Sequence, residues 1–342
     1  MNDYVKLVTI NEILPIENAD LIELCKIDGW QCVTQKGNFQ VGDQAIYVGI
    51  DSVIPDDDRF GDLKDLRIKT KKLRGCLSQG VLFPLNIINN LKILDPNLID
   101  LSELLGITHY EKPIPAEMSG LAKGNFPNFI PKTDKPRIQN HMKLFEEFPD
   151  EPLYVTIKED GTSFTCYIKD GQFGVCSRNL ELKPPEEGNE SNTYWKLAKE
   201  YDLENKMKQY KFDFALQGEM LGPKICGNKA KYEENLIKFF NAYNISEQRY
   251  MDFSEFLGLI ANMNLESVDL YGGFMDNNSN HYVHLKDYTL DELIEHVNGL
   301  QFKGTQLEGL VFRSLNEKYS QTLQGRLSFK LVNNKYLLKN NE

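Results

Sequence analysis

Lys158, Asp160 and Gly161 stand in the run TIKEDGTSFT, where an apolar stretch gives way to a tight turn. A lysine amine can attack an electrophilic centre and form a covalent intermediate. It does so only as the free base, and an unperturbed lysine, with a pKa of about 10.4, is almost wholly protonated at neutral pH. Desolvation or neighbouring positive charge must lower that value. Asp-Gly between two strands is also a strong hairpin signal, and on that reading the lysine is simply solvated. Further along, Arg178 follows Cys176 and Ser177, and Glu219 sits near the end of FALQGEML. Tyr243 lies in the aromatic run FFNAYNI, Glu308 precedes Gly309 and Val311, and Lys330 is set between apolar residues in LSFKLV. Each alone reads as a solvated strand-end charge. Solvation does not account for their order along one chain: Lys-x-Asp-Gly, Arg, Gly-Glu, aromatic strand, Glu-Gly-Leu-Val, strand Lys.

These groups need rigid elements to hold them. From Leu153 the pattern predicts strand, turn, strand, turn, strand through YVTIKEDGTSFTCYIKDGQFGVCSRN, then a helix over YWKLAKEYDLENKMKQY and a strand over FDFALQGEML. LIKFFNAYNI reads as a strand, FSEFLGLIANM as a helix, and LEGLVFRS and RLSFKLV as the last strands. TLDELIEHVNG reads as a helix with Thr289 as N-cap and Gly299 as its stop. Before this region, LIELCKI, GWQCVTQ, QAIYVGI and GVLFPL are short runs separated by Gly, Asn and Asp, which predicts a small β-barrel of OB type. The expected organisation is a barrel over 1–106, a Pro/Gly/Lys-rich linker or lead-in over 107–134, and a second domain over 135–342.

Bulk properties narrow the class. The chain has 342 residues and a formal net charge of −11, which argues against indiscriminate coating of phosphates but leaves room for a local basic groove. No apolar run is long enough for a membrane helix, and the N-terminus lacks signal-peptide character, so an intracellular protein, cytoplasmic or nuclear, is expected. Cys25, Cys32, Cys76, Cys166, Cys176 and Cys226 form no C-x-x-C pair and read as reduced packing residues. His281 and His284 are three apart but lack a third ligand nearby, so a loop running into a strand is the better reading than a metal site.

The ordered set resembles the covalent nucleotidyltransferases: DNA ligases, RNA ligases and mRNA capping enzymes. Lys158, Asp160 and Gly161 match motif I, Arg178 motif Ia, Glu219 motif III, Tyr243 motif IIIa, Glu308 and Val311 motif IV, and Lys330 the first lysine of motif V. The barrel precedes rather than follows this region, and the chain ends soon after Lys330. With FIPKTDKPRIQN, IKEDGTSFT, QGEMLGPKICGN and SFKLVNNKYLLK, this arrangement is similar to the ATP-dependent RNA ligases known from Deinococcus and Naegleria. The resemblance implies an α+β chain: an OB-type barrel, then an ATP-grasp-like nucleotidyltransferase domain of antiparallel sheets flanked by helices. It implies sealing of an RNA 3′-OH to a 5′-phosphate, as in RNA repair, through lysyl-AMP and an adenylylated RNA end. ATP and Mg²⁺ or Mn²⁺ are the implied cofactors, RNA the partner, and a monomer the expected state. Lys158 would be the nucleophile, Lys330 a charge partner, and Tyr243 and Val311 the faces against adenine. Asp160, Glu219 and Glu308 would hold the metal, directly or through its waters.

Two positions depart from the family pattern. Val332 stands where many members carry a second motif V lysine, for which Lys335 is the candidate substitute, and Asn244 stands where aspartate is usual. In DLRIKTKKLRG, Arg67, Lys69 and Lys71 alternate with Leu66, Ile68 and Thr70, which on a strand puts three cations on one face. A phosphate track for RNA is the functional reading, and a solvated edge that resists aggregation is the plain one. The rival activities are a GTP-using or capping-type transferase, and a non-catalytic OB-type RNA-binding protein.

Overall fold

The computed structural model describes residues 4–88, 99–111, 120–185, 192–274 and 282–341. It divides into two compact units. The first comprises Met1–Pro113, Ile138–Met142 and Asn334–Glu342; the second comprises Ile114–Arg137 and Lys143–Asn333. Packing therefore divides the chain differently from the linear expectation of 1–106, 107–134 and 135–342. The described part of that stretch, 120–137, belongs to the second unit because its backbone and side chains bond to that unit's sheets, as described below. Two short segments return to the first, where Trp30 Nε1 donates to Asn140 Oδ1 at 2.7 Å and Gln79 Nε2 to Asn334 Oδ1 at 3.0 Å.

In the first unit, alternating apolar residues form β1 (Val5–Thr9), β2 (Glu12–Pro15), β3 (Ile22–Ile27), β4 (Trp30–Gln35) and β5 (Gln44–Val48). They continue through β6 (Ser52–Val53), β7 (Lys71–Leu73), β8 (Cys76–Ser78), β9 (Val81–Pro84) and β10 (Thr108–His109). The sheets run β1-β5-β9, β2-β3-β4, β7-β8 and β6-β10, all antiparallel. A short helix, α1 (Leu101–Leu105), is capped by Asp100 and buries Leu101 and Leu105 against Val5, Ile46, Val48, Ile54 and Phe60.

The second unit holds β11 (Ala122–Asn125), β12 (Leu153–Lys158), β13 (Thr162–Lys169), β14 (Gln172–Cys176), β15 (Leu180–Leu182), β16 (Phe214–Leu221), β17 (Leu236–Asn244) and β18 (Arg249–Tyr250). Two small hairpins, β19 (Gln301–Phe302) with β20 (Thr305–Gln306) and β22 (Tyr319–Ser320) with β23 (Gly325–Arg326), flank β21 (Gly309–Ser314) and precede β24 (Ser328–Val332). A seven-stranded antiparallel sheet runs β11-β15-β14-β13-β16-β17-β18, and a three-stranded one runs β12-β21-β24. The helices are α2 (Leu144–Glu147), α3 (Thr193–Glu200), α4 (Leu203–Lys208), α5 (Phe253–Asn262), α6 (Leu290–Asn298) and the C-terminal α7 (Asn334–Asn340), which belongs to the first unit.

Period-two alternation decides the layers. On the large sheet, Phe164, Cys166, Leu216 and Phe239 bury one face against α3, α4 and α5 through Leu197, Leu203, Met207, Phe256 and Leu259. The single helix expected over 194–210 is two, because Asp202 takes a left-handed φ of 52° and breaks it. On the small sheet, Leu310, Phe312, Phe329 and Leu331 form a fully buried apolar face, with Phe312 stacked on Phe329 at 5.1 Å. Removing that ring leaves a cavity beneath the strand that carries Lys330. Phe329→Ala should therefore destabilise the protein by about 3–5 kcal/mol, measurable as a lower midpoint in urea unfolding.

Candidate active site

The turn after Lys158 is not a hairpin. β12 pairs with β21 and β13 pairs with β14 and β16, so Asp160 and Gly161 carry the chain from the small sheet to the large one. Lys158, the last residue of β12, stands opposite Gly309. Both glycines sit where a side chain would collide. A Cβ on Gly161 would lie 2.4 Å from the Met220 carbonyl oxygen, and one on Gly309 would lie 2.3 Å from that of Leu331. The two sheets can thus approach closely at the lysine.

Register places the other candidates. One face of the small sheet presents Lys158 and Thr156 from β12, Val311 and Arg313 from β21, and Lys330 from β24. Val311 is paired with both Thr156 and Lys330. The face of the large sheet away from its helices presents Ser163, Glu219 and Lys238 at one level, Gln217 and Asn241 at the next, and Ala215 and Tyr243 beyond. The Lys158 Nζ donates to Glu308 Oε1 at 2.5 Å. Burial works to lower the Lys158 pKa, but Glu308, with Glu219 and Asp160, outweighs it and holds the value above that of a free lysine. Burial pushes the Glu219 carboxyl up to about 8; Lys158 opposes the shift, while Glu308 and Asp160 reinforce it. Burial likewise raises Glu308, against the pull of Lys158. Lys330 is driven down to about 7, first by burial and then by the charges of Arg137 and Lys158.

This crowding of carboxylates around one ammonium suits a cation. Among the described residues, however, no three Asp, Glu, His or Cys side chains come close enough to hold a metal ion jointly. Of the two modes expected for Asp160, Glu219 and Glu308, direct or through waters, this spacing suits the second, in which hard oxygens grip a hydrated divalent ion. Asp160 is also tied to Lys229, Nζ to Oδ2 at 2.9 Å. His281 lies outside the described residues, and His284 faces Asp287 at 3.6 Å.

Arg178 is exposed and donates to Asp134 Oδ1 at 2.8 Å. Tyr243 is buried beside Ile130, Tyr167 and Ala215, and its ring meets that of Tyr250 edge-on at 5.1 Å. It shares the sheet face of Glu219. Lys335 lies exposed on α7, which belongs to the first unit, so it is not among the second-unit residues gathered at Lys158.

Sequence reasoning treated 107–134 as a lead-in and missed what its end does. Gln217 Nε2 donates to the Pro131 carbonyl at 2.7 Å, and the Thr133 and Ser163 hydroxyls lie 3.4 Å apart. Asp134 takes Arg178, the Lys330 amide donates to the Pro136 carbonyl at 2.8 Å, and Arg137 bridges Lys330 in parallel. This stretch is a wall of the site and supplies Arg137 to the electrostatics of Lys330. The signal was the alternation of cations and prolines in PKTDKPR. Arg313 was missed too; it is buried and donates to the Thr156 hydroxyl at 2.7 Å.

The expected basic strand in the first unit does not form. Only Arg67 bridges, to Val53, and regular pairing resumes at Lys71. Arg67 is engaged internally, with its guanidinium 2.5 Å from Asp51 Oδ1 and 3.7 Å above the Tyr110 ring. Arg67, Lys69 and Lys71 therefore do not lie on one regular strand, although the alternation holds locally, with Ile68 and Thr70 buried between them. The exposed cations sit instead on the β7–β8 hairpin: Lys71, Lys72 and Arg74, with Arg74 and Gly75 at positive φ in a two-residue turn. Lys69 is half-buried just before it.

A family model described as OB-fold domain matches residues 4–85, and one described as RNA ligase matches residues 151–332. The chain is similar to a solved Naegleria gruberi RNA ligase with PPi, at 33% identity and TM-score 0.85, covering 100% of this chain and 99% of that one. A lysine-to-alanine mutant of Naegleria gruberi RNA ligase with ATP and Mn matches at 33% identity and TM-score 0.85 over 98% of each chain. A lysine-to-methionine mutant with AMP and Mn gives the same values. No curated protein matches the sequence. The expected fold class holds: an OB-fold domain ahead of a ligase domain built of antiparallel sheets and helices. Matched over more than half its length by the ligase model and end to end by a solved ligase, the chain belongs to the RNA ligase family.

Proposed function

We propose that this RNA ligase is ATP-dependent and works through a covalent Lys158–AMP. The observation that carries the reading is the Lys158–Glu308 pair at the crossing between the sheets, with Glu219 and Lys330 coupled to it. Lys158 first loses its ammonium proton to solvent; the free Nζ then attacks the α-phosphorus of ATP, an N–P bond forms, the bond to pyrophosphate breaks, and the second proton leaves to solvent. AMP passes next to the 5′-phosphate of RNA, and the 3′-OH then displaces it to close the strand. When bound, a divalent cation, Mg²⁺ or the Mn present in the relative's structure, would supply positive charge near the acids and the phosphates.

The residues of the chain act as follows. Glu308 orients the amine through its 2.5 Å hydrogen bond. Asp160, Glu219 and Glu308 hold the cation's water shell. An arriving phosphate favours the charged form of Lys330, which then stabilises charge developing at phosphorus. Gly161 keeps the turn close to Glu219, and Val311 and Tyr243 take the two faces of adenine. Arg178 lies at the ribose and phosphate edge. Lys335, on the helix after motif V, has only its position in the sequence to recommend it as the missing second lysine. The RNA is a nicked duplex or broken strand, the setting is repair, and the chain acts as a monomer. The hairpin cations Lys71, Lys72 and Arg74, with Lys69, bind its phosphates. An intracellular place, cytoplasmic or nuclear, is supported by six free cysteines.

Wild-type protein given ATP should gain one AMP by intact mass and Lys158→Ala none. The same measurement with GTP tests nucleotide choice, and an adduct retained in Lys158→Ala would place the nucleophile elsewhere. Glu219 supplies a pH test. Its carboxyl keeps a proton up to about 8 in the folded protein and releases it at the ordinary, lower value when unfolded. The folded state therefore binds the extra proton, and stability falls as pH rises through that window. Glu219→Gln should remove this fall, giving a higher melting temperature than wild type at pH 8, while losing adenylylation. A melting difference independent of pH would mean that Glu219 ionises normally. Changing Lys69, Lys71, Lys72 and Arg74 to Ala should spare adenylylation and weaken RNA binding. Fewer RNA phosphates would then be neutralised, and the log–log salt slope should become shallower by roughly 3–4. An unchanged slope would leave the hairpin a solvated edge.

A further inference from the structure

Glu159, the residue between Lys158 and Asp160, is 6% exposed and takes no part in the chemistry above. Burying a carboxylate is costly unless it is paired and hydrogen-bonded. Here the pairing is extensive. The Tyr232 hydroxyl lies 2.9 Å from Glu159 Oε1 and 3.0 Å from Oε2, and Lys238 Nζ donates to Oε1 at 3.1 Å and to Asp269 Oδ2 at 2.7 Å. Tyr232 is itself pinned. Asn228 exchanges side-chain amide bonds with its backbone N–H and carbonyl, both at 2.8 Å, and Lys303 Nζ sits 3.6 Å from its ring centroid.

Tyr232 belongs to the loop 222–235 between β16 and β17. The same loop reaches each residue after the nucleophile: Tyr232 holds Glu159, Lys229 holds Asp160 at 2.9 Å, and Cys226 Sγ donates to the Gly161 carbonyl at 2.8 Å. The three partners come from positions three apart. Turns closed from Ile225 to Gly222, Asn228 to Ile225 and Lys231 to Asn228 tighten the loop between these partners. Residues 159–161 belong to neither β-ladder, and these bonds, together with that from the Gly161 amide to Glu219, hold the strand end beyond Lys158.

We infer that the loop 222–235 is the positioning element for the nucleophile, with Tyr232 and Glu159 as positioning residues that fix the approach of the Lys158 amine to phosphorus. The inference rests on the ligase reading above. Nucleophilic attack tolerates little displacement, so loosening the strand end should slow the covalent step while leaving nucleotide binding alone.

Three measurements separate the inference from the ligase reading. Single-turnover adenylylation, ATP half-saturation and joining of pre-adenylylated RNA, which forms no new bond to Lys158, are followed in wild type, Tyr232→Phe and Glu159→Gln. Tyr232→Phe keeps the ring and removes only the hydroxyl; it should slow adenylylation by about tenfold to a hundredfold with ATP half-saturation unchanged. Joining of pre-adenylylated RNA should fall far less. Glu159→Gln, which keeps an acceptor for Tyr232, should show a smaller loss with the same split. Wild-type adenylylation in Tyr232→Phe, or equal losses in adenylylation and joining for both variants, overturns the inference and leaves the ligase reading intact. Failure of the wild type to take up AMP overturns that reading, and this inference with it.

Discussion

The hydrogen-bonded ion pair between Lys158 and Glu308 is the constraint around which the ligase domain is organised. A lysine that must become a nucleophile is held charged by the acids around it, Glu308 foremost, while burial, reinforced by Glu308 and Asp160, pushes the Glu219 carboxyl up to about 8. Neither side is at rest without the other. The arrangement is stable as an ammonium among acids and becomes reactive only when positive charge from outside takes over the acids. Control of the covalent step is thus built into the electrostatics of the site itself.

That balance requires two sheets to meet at one point. The chain passes from one to the other through Asp160 and Gly161, and glycines stand where backbone carbonyls come within 2.4 Å of where a Cβ would lie. The apolar faces on the outer sides, Phe312 over Phe329 on the small sheet and Phe164 with Phe239 on the large one, fix both sheets from behind. The polar faces can then carry charges at close quarters without the sheets drifting apart.

The ordered set from Lys158 to Lys330 was legible because the chemistry dictates residue types. Only an amine makes the phosphoramidate, and only acids and bases manage its charge. The strands bearing the set were legible from alternation, α5 from periodicity, and α6 from periodicity with its Thr289 cap and Gly299 stop. What escaped was structure without a residue-type signature. The carbonyls of Pro131 and Pro136 bind Gln217 and Lys330 through backbone atoms that any residue offers. The break at Asp202 depends on a single left-handed residue inside a helical pattern. Arg67 looked like a phosphate ligand because alternation assumed a strand; its engagement with Asp51 and Tyr110 depends on neighbours distant in sequence.

The first unit is assembled from three separate stretches of chain, the last of them Asn334–Glu342, where Asn334 accepts from Gln79. During synthesis the barrel strands emerge first, yet the segment that completes their unit follows the whole ligase domain out of the ribosome. The N-terminal half therefore cannot reach its finished state while the ligase half is still being made. Neither half can be excised by a single cut, and the order of translation is not the order in which the two units are completed.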